Sequence, residues 1–239
     1  MVKTHFWHVV RREIIYQFLK KSFCGNLNLK MLEVGIGNGD VACFLKNKGI
    51  DMEGADIFPE AIANCKKILD IPLHQMDALK IPFRERYDII GAFDLLEHID
   101  NDTLALKNIF SACKTGGKII VTVPAMRLLW GYFDIGSHHK RRYSKRELKE
   151  KMEEAGFKIE RISFFMTLLF PVLFIYRLLF GMTKSARKVE TGRITISPEH
   201  KPTPILNNIM LFIFRIEKCL LNFVNLPFGT SLIAIARKV

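Results

Sequence analysis

The chain has 239 residues, which is enough to bury a full hydrophobic core, and one α/β domain commonly fills this length. Its 36 Lys and Arg outnumber its 24 Asp and Glu, giving a net charge of +12. Five scattered cysteines without Cys-x-x-Cys spacing argue against a disulfide framework and for a reducing compartment. No His or Cys cluster has the sequence spacing of metal ligands, and residues 1–21 lack the uninterrupted apolar run of a signal peptide. We therefore expect a cytoplasmic protein without a metal site.

The predicted elements alternate between helices and strands. An amphipathic helix covers 5–23, and further helices are predicted at 39–48, 59–69, about 102–114 and 145–155. Apolar runs predict strands at 30–35, 51–56, 72–76, 87–93, 118–124, 158–164 and 230–237. Ser144 is the predicted N-cap of its helix, Glu147 completes a capping box, and Gly156 ends the helix.

The segment at residues 31–39, MLEVGIGNG, joins an apolar strand, a glycine turn and a helix start. Glycines let the backbone approach a ligand closely, and the new helix offers unpaired N–H groups. The third glycine of a dinucleotide-binding G-x-G-x-x-G would fall at residue 40, which is Asp40. Glu33 suits a cationic or amine-bearing ligand better than a pyrophosphate. The segment predicts a nucleotide-type cofactor, with an ordinary strand-to-helix turn as the alternative.

Acidic residues also follow three later strands. Asp56 ends the second strand, Asp77 closes the third, and Asp94 follows the fourth. An acid about 20 residues after the glycine turn can accept both ribose hydroxyls of an adenosine. Because ligands of open α/β sheets bind at the carboxyl ends of the strands, we expect these acids to line one site.

Four segments together resemble the successive motifs of class I S-adenosylmethionine-dependent methyltransferases: 33–39, Asp56, Asp77-Ala78 and 96–99. The resemblance covers roughly residues 28–163 and 229–237. It implies a Rossmann-like α/β fold, a seven-stranded doubly wound sheet with its last strand antiparallel, and S-adenosyl-L-methionine as cofactor. It assigns the methionine part to Gly35 and Gly37, the ribose to Asp56, the adenine to Asp77 and Ala78, and further cofactor contacts to Glu33, Ile57, Asp94 and Leu95.

The family commonly links its last two strands by a short hairpin, whereas here about 65 residues separate them. We therefore divide the chain into an N-terminal amphipathic helix (1–27), a cofactor-binding domain (28–164 and 229–239) and an apolar helical insertion (165–228). The insertion leaves the sheet at the active-site edge, which predicts a cap or a membrane-associating segment. Pro171 and Arg177 interrupt its longest apolar run and disfavour a transmembrane span. Helices that only bury one another are the alternative.

The basic charge favours an anionic membrane surface as a partner and a peripheral location at the membrane, because Lys and Arg beside apolar helices are attracted to anionic lipid. We expect no nucleic-acid partner, since the basic residues interleave with long aliphatic runs and not with scattered stacking aromatics.

The predicted general base is His98, which follows the fourth strand beside the expected methyl group, and Glu97 would orient it or the substrate. His138 and His139 are second choices. If the acceptor atom is an amine nitrogen or a carbon, His98 need have no catalytic role. The alternative for His98 is a contact with backbone or cofactor only.

The basic loop at 136–143 opens on the same edge and predicts four substrate-binding residues: His138, Arg141, Arg142 and Tyr143. The alternative is a solvated loop whose arginines pair with nearby acids.

These features are compatible with three functions. The first is O-methylation of a lipid, lipid-linked or other hydrophobic acceptor, and it is the one we predict. The second is a soluble methyltransferase for a quinone-like or aromatic small molecule. The third is a cofactor-binding module without transfer activity, against which the acids at 33, 56, 77 and 94 count.

Overall fold

A computed structural model describes residues 4–26, 28–171, 174–175 and 203–239. Seven strands form one sheet in the order β3-β2-β1-β4-β5-β7-β6. Strand β7 is antiparallel to β5 and β6, and the other pairs are parallel, so the predicted fold class is confirmed. The strands are β1 Lys30–Val34, β2 Asp51–Asp56, β3 Leu73–Gln75, β4 Tyr87–Phe93, β5 Cys113–Pro124, β6 Phe157–Phe165 and β7 Ser231–Lys238.

Helices cover both faces of the sheet. The described helices are α1 Phe6–Ser22, α2 Asp40–Lys46, α3 Pro59–Lys66, α4 Asp102–Ala112, α5 Tyr132–Gly136, α6 Lys145–Glu154 and α7 Pro204–Leu220. Short 3-10 turns lie at Ala78–Lys80, Leu96–His98 and Arg127–Leu129. The buried strand residues alternate between the two layers: Ile89 belongs to a cluster with residues of α1, α2 and α7, whereas Ile90 belongs to a cluster with residues of α4 and α6. This arrangement explains why the strands read as continuous apolar runs.

Two local predictions need correction. The fifth strand begins at Cys113, not at 118, because Cys113 pairs with Tyr87 before a register shift at the glycine pair. The predicted capping box of α6 is half present: the Ser144 hydroxyl accepts the Glu147 N–H at 3.1 Å. The Glu147 carboxylate instead accepts a hydrogen bond from Arg127 at 2.9 Å.

Helix α7, which lies in the 165–228 segment, packs beside α1 with the same chain direction. The Phe6 N–H donates to Asn207 at 2.8 Å, and Gln17 donates to the Lys218 carbonyl at 2.8 Å. Between these contacts, Glu13 accepts hydrogen bonds from Arg215 and Lys218. The N-terminal helix and this part of the insertion therefore form one helical layer on the sheet.

Within the part of the chain that the structure describes, no helix has both the length and the apolar character that a bilayer span requires.

Candidate functional site

The candidate site lies at the topological switch point of the sheet, where the strand order reverses between β1 and β4. Strands β1 and β4 are parallel neighbours at this point, and their carboxyl ends lie beside that of β2. Such a switch point leaves a crevice above the sheet, which is the usual ligand site of open α/β folds. The sequence-predicted acids Glu33, Asp56 and Asp94 all lie at the carboxyl ends of these strands, which we call the carboxyl edge of the sheet.

The glycine loop has the backbone geometry that the sequence predicts. Gly35 has φ +76°, and an added Cβ would lie 2.8 Å from Leu95 Cδ1, so only glycine fits under that side chain. Gly37 has φ +53°, and its missing Cβ would point into open space. Gly35 therefore serves the packing of the loop, whereas Gly37 keeps a backbone surface open for a ligand.

Asp56 fixes the loop from the neighbouring strand. Its Oδ2 accepts the Gly37 N–H at 2.9 Å, and its Oδ1 accepts the Phe58 N–H at 3.0 Å. Ile57 and Phe58 follow it and are 51% and 65% exposed, so an apolar surface adjoins the carboxylate. Phe58 is not among the sequence-predicted site residues, although a large apolar residue two positions after the acid that ends the strand is a visible signal.

The predicted adenine-binding pair lies one strand further along. Asp77 accepts the Leu79 N–H at 2.8 Å and caps a 3-10 turn, while Ala78 is buried in that turn. A cofactor role for this pair stays a prediction.

Glu33 is a buried carboxyl group with unused hydrogen-bonding capacity. Among the described residues, its Oε2 has no hydrogen-bond partner. Burial is the main cause that raises the pKa of Glu33 to about 8, and the charge of Arg11 acts in the opposite direction. A group of this kind becomes favourable as a carboxylate once a cationic ligand pairs with it.

Asp94 links the edge of the sheet to helix α1. Its backbone has φ +52°, an uncommon conformation outside glycine. The guanidinium of Arg11 lies 2.8 Å from Asp94 Oδ2, and the Thr122 hydroxyl donates to Oδ1 at 3.2 Å. The sequence signal for Arg11 was its place on the buried stripe of α1, three residues before Ile14. Sequence reasoning overlooked it because a charged residue in an amphipathic helix is usually solvated.

The residues present fit S-adenosylmethionine. Its amino acid part carries an ammonium and a carboxylate, and the site offers Glu33 Oε2, which has no hydrogen-bond partner among the described residues, together with the buried cation Arg11. Asp56 would hold the ribose beside the apolar surface of Ile57 and Phe58. The open side of Gly37 gives the backbone room to approach the ligand.

A second cluster lies beside Asp94, in the 3-10 turn after β4. Glu97 is fully buried, and burial followed by the charge of Asp94 raises its pKa well above the ordinary value. His98 and His139 meet edge to face with ring centroids 4.9 Å apart. Burial, and then the nearby His139, lower the pKa of His98, which favours the neutral form of its imidazole.

The predicted substrate residues of the basic loop have partners within the fold. Arg141 pairs with Asp102 at 2.9 Å, and the buried Tyr143 hydroxyl donates to the same carboxylate at 2.6 Å. Arg142 donates to Asp134 at 2.7 Å. The arginines therefore pair with nearby acids, as the alternative interpretation of this loop expected. A substrate role for these residues and for His138 stays a prediction.

Comparisons with known proteins agree with this geometry. A methyltransferase-domain family matches residues 6–162. A curated Mycolicibacterium smegmatis protein described as a probable S-adenosylmethionine-dependent methyltransferase is 24% identical over 165 residues, which is 67% of this chain. The matched part spans 62% of that relative's length.

Two solved structures show the same fold at low identity. An Archaeoglobus fulgidus SAM-dependent methyltransferase is 22% identical with a TM-score of 0.57, and the alignment covers 95% of this chain and 94% of that one. A Haemonchus contortus phosphoethanolamine N-methyltransferase 2, in complex with S-adenosyl-L-methionine, is 18% identical with a TM-score of 0.59. That alignment covers 93% of this chain and 51% of that one.

Proposed function

Because this chain belongs to the class I S-adenosylmethionine-dependent methyltransferases, we propose that it methylates an oxygen atom of a hydrophobic, lipid-like acceptor at a membrane surface. The observation that carries the transferase part is the grouping of Glu33, Asp56 and Asp94 around the open glycine loop. The observation that carries the acceptor part is an exposed apolar row on helix α7.

The residues of the edge position the reactants. When bound, S-adenosylmethionine supplies a sulfonium methyl group that is already strongly electrophilic. Glu33 and Arg11 would hold its charged groups, and Asp56 would hold the ribose. Fixing the donor in this way leaves the protein two further tasks, which are to place the acceptor oxygen in line and to exclude water.

An oxygen acceptor must also lose its proton as the new carbon–oxygen bond forms. The neutral imidazole of His98 lies in the turn directly after β4, close to the expected methyl position, and can accept a proton there. Glu97 is fully buried and belongs to the same turn. The group that removes the acceptor proton therefore belongs to this cluster, and His98→Ala should lower kcat while leaving cofactor binding intact.

The apolar row consists of side chains that share one face of α7. They recur at intervals of three or four residues and are exposed: Ile205, Ile209, Phe212, Ile216 and Leu220. The opposite face is buried and includes Phe214, which stacks on Phe6 of α1 at 5.6 Å. A contiguous exposed apolar strip of this length is typical of a binding surface.

The apolar row extends past the edge of the sheet that carries the site. Glu217 accepts the N–H groups of Thr167 and Leu168, just beyond the carboxyl end of β6, so α7 meets the sheet at that level. The helix from Glu217 back to Ile205 rises about 18 Å. The row therefore projects on the side where a lipid acceptor would enter the crevice.

Charge favours a lipid surface as the occupant of this row. Arg215, which pairs with Glu13 at 2.8 Å, lies on α7 with half of its side chain exposed, and the whole chain carries a net charge of +12. Each Lys or Arg near an anionic bilayer contributes about 1 kcal/mol of attraction. An apolar helix face with basic neighbours binds in the membrane interface through the burial of its apolar area and the attraction of its charges to anionic lipid.

Flotation with vesicles tests the surface. We expect the wild-type protein to float with phosphatidylcholine vesicles that contain phosphatidylglycerol, and Phe212→Glu to remain in solution. Val239→Glu is the matched control, because Val239 is also exposed (72%, against 68% for Phe212) but follows β7 at the opposite edge of the sheet. Equal flotation of both variants, or none for the wild type, would refute the lipid surface.

Turnover tests the acceptor. Incubation with S-adenosylmethionine and host lipid extract should yield S-adenosylhomocysteine, and Phe212→Glu should lose this turnover while retaining cofactor affinity. Turnover only with the aqueous metabolite fraction would favour a soluble small-molecule methyltransferase instead.

A further inference from the structure

The turn after β4 and the loop after α5 bring three potential metal ligands together. Glu97 and His98 lie in the turn Leu96–His98, and His139 lies in the loop. One donor atom from each of the three residues lies within 4.8 Å of the others. The Lys140 N–H donates to the Glu97 carbonyl at 2.8 Å, which ties the loop to the turn. We propose that Glu97, His98 and His139 bind one divalent first-row metal ion.

Glu97 provides the first independent support. Its side chain is fully buried, and within the described residues neither carboxylate oxygen has a hydrogen-bond partner. The two nearby arginines donate elsewhere: Arg11 to Asp94, and Arg142 to Asp134 and the Ala125 carbonyl. A buried carboxylate without a partner is strongly unfavourable, and a coordinated cation removes that cost.

The orientation of His139 provides the second. Its Nδ1 lies 3.0 Å from Asp134 Oδ1, which leaves Nε2 as the nitrogen for a cation. Asp134 is itself fully buried and accepts hydrogen bonds from the Gly131 N–H and from Arg142. A histidine held through its second nitrogen by a fixed carboxylate is the usual outer-shell arrangement of metal-binding histidines.

The donor set indicates the class of ion. Two imidazoles and one carboxylate suit zinc, cobalt, manganese or ferrous iron and leave at least one coordination position open. Bonds of about 2 Å in tetrahedral geometry place donor atoms about 3.3 Å apart. The donor atoms now lie within 4.8 Å of one another, so side-chain rotation must bring them closer when the ion binds.

An open position beside the expected methyl group has a chemical consequence. An acceptor hydroxyl that coordinates the ion becomes more acidic, because the metal stabilises its oxygen as the anion. With the ion bound, His98 would act as a ligand and not as the base, so the acceptor proton would leave to solvent or buffer while the oxygen–methyl bond forms and the carbon–sulfur bond breaks. This catalytic role rests on the proposed O-methylation, whereas binding of the ion does not.

Metal binding is measured directly on the full chain. Protein stripped with a chelator is dialysed against Co²⁺ or Zn²⁺, and the visible absorption of bound Co²⁺ is recorded. We expect one ion per chain for the wild type and loss of stoichiometric binding in Glu97→Gln and in His139→Gln. Asp134→Asn should weaken binding by about 10- to 100-fold, as outer-shell changes do.

His138→Asn is the matched control. His138 is the adjacent histidine, lies outside the cluster and has φ +56°, a conformation that Asn tolerates. This variant should bind Co²⁺ like the wild type. The site is refuted if the folded wild-type chain binds no stoichiometric ion, or if Glu97→Gln and His139→Gln bind as tightly as His138→Asn. Co²⁺ bound by a wild-type chain that transfers no methyl group would support the site and count against the proposed function.

Discussion

Cofactor binding should release a proton from Glu33. The pKa of this carboxyl is about 8 because the group is buried, with Arg11 offsetting part of that effect. At pH 7 about nine tenths of the molecules therefore carry the proton. An ammonium group pairs with the carboxylate form, so S-adenosylmethionine binding at pH 7 should expel close to one proton per site.

The affinity should follow the same equilibrium. Below pH 7 the amino group of the cofactor stays protonated, so of the two groups that pair, only Glu33 changes its state. The ratio of protonated to ionised Glu33 falls tenfold from pH 6 to pH 7, so the dissociation constant should fall about ninefold over that interval. Calorimetric titrations in two buffers with different ionisation enthalpies give both the affinity and the number of protons released.

Stability gives an independent check on the same group. A folded-state pKa raised from 4.5 to about 8 means that the native chain holds this proton more tightly than the unfolded chain does. The stabilisation is fully present below pH 4.5 and is lost as the pH rises through 8, a change on the order of 4–5 kcal/mol. Urea unfolding at pH 8 without cofactor should therefore find Glu33→Gln more stable than the wild type.

Glu60→Gln is the control for both measurements, because Glu60 is exposed in the first turn of α3. The reasoning is wrong if Glu33→Gln keeps the proton release and the pH dependence of the wild type. It is also wrong if Glu60→Gln changes them as strongly.

Three further predictions follow from single contacts. Gly37→Ala and Gly49→Ala should each cost about 1–2 kcal/mol of stability, because both residues have positive φ and open space around a Cβ. Only Gly37→Ala should weaken cofactor binding by more than about tenfold, since its methyl group enters the ligand space; equal affinities by calorimetry would contradict this. Tyr143→Phe should lower the free energy of unfolding by about 2 kcal/mol through loss of its bond to Asp102; a raised KM with unchanged stability would instead support the predicted substrate role. A double-mutant cycle of Arg11→Met and Asp94→Asn in urea should give about 1–2 kcal/mol of coupling, and additivity would exclude a stabilising pair.

The elements around the cofactor edge were predictable because their signals are local. Apolar runs and the glycine turn placed β2 and β4 at their observed bounds, and Asp56 at the end of β2. The antiparallel direction of the last strand came from the family resemblance, not from the residues, because strand direction depends on pairing between distant segments.

The contributions of distant segments could not be found by local pattern. Arg11 meets Asp94 only because α1 folds across the sheet, and His139 meets His98 only because a loop hydrogen-bonds to the turn after β4. A search for metal-ligand spacing along the chain overlooks such a cluster. The packing of α7 on α1 was likewise hidden, since the residues that touch lie about 200 positions apart.

Charge runs were compatible with more than one role. Arg141 and Arg142 fit equally well as substrate-binding residues or as partners of nearby acids. Their observed partners, Asp102 and Asp134, come from separate elements of the fold. Helix α7 is apolar on two faces, and the sequence does not distinguish the face that packs on α1 from the face that is exposed.

The central claim is tested most directly by following the methyl group itself. The full chain is incubated with methyl-labelled S-adenosylmethionine and a crude host extract that includes membranes, and the label is then partitioned between organic and aqueous phases. The account predicts label in the organic phase, in a lipid product whose methyl group is bound to oxygen as an ether or an ester. Label confined to aqueous metabolites or macromolecules would contradict the hydrophobic acceptor. Cofactor binding without any methyl transfer would contradict the claim that the chain is an active methyltransferase.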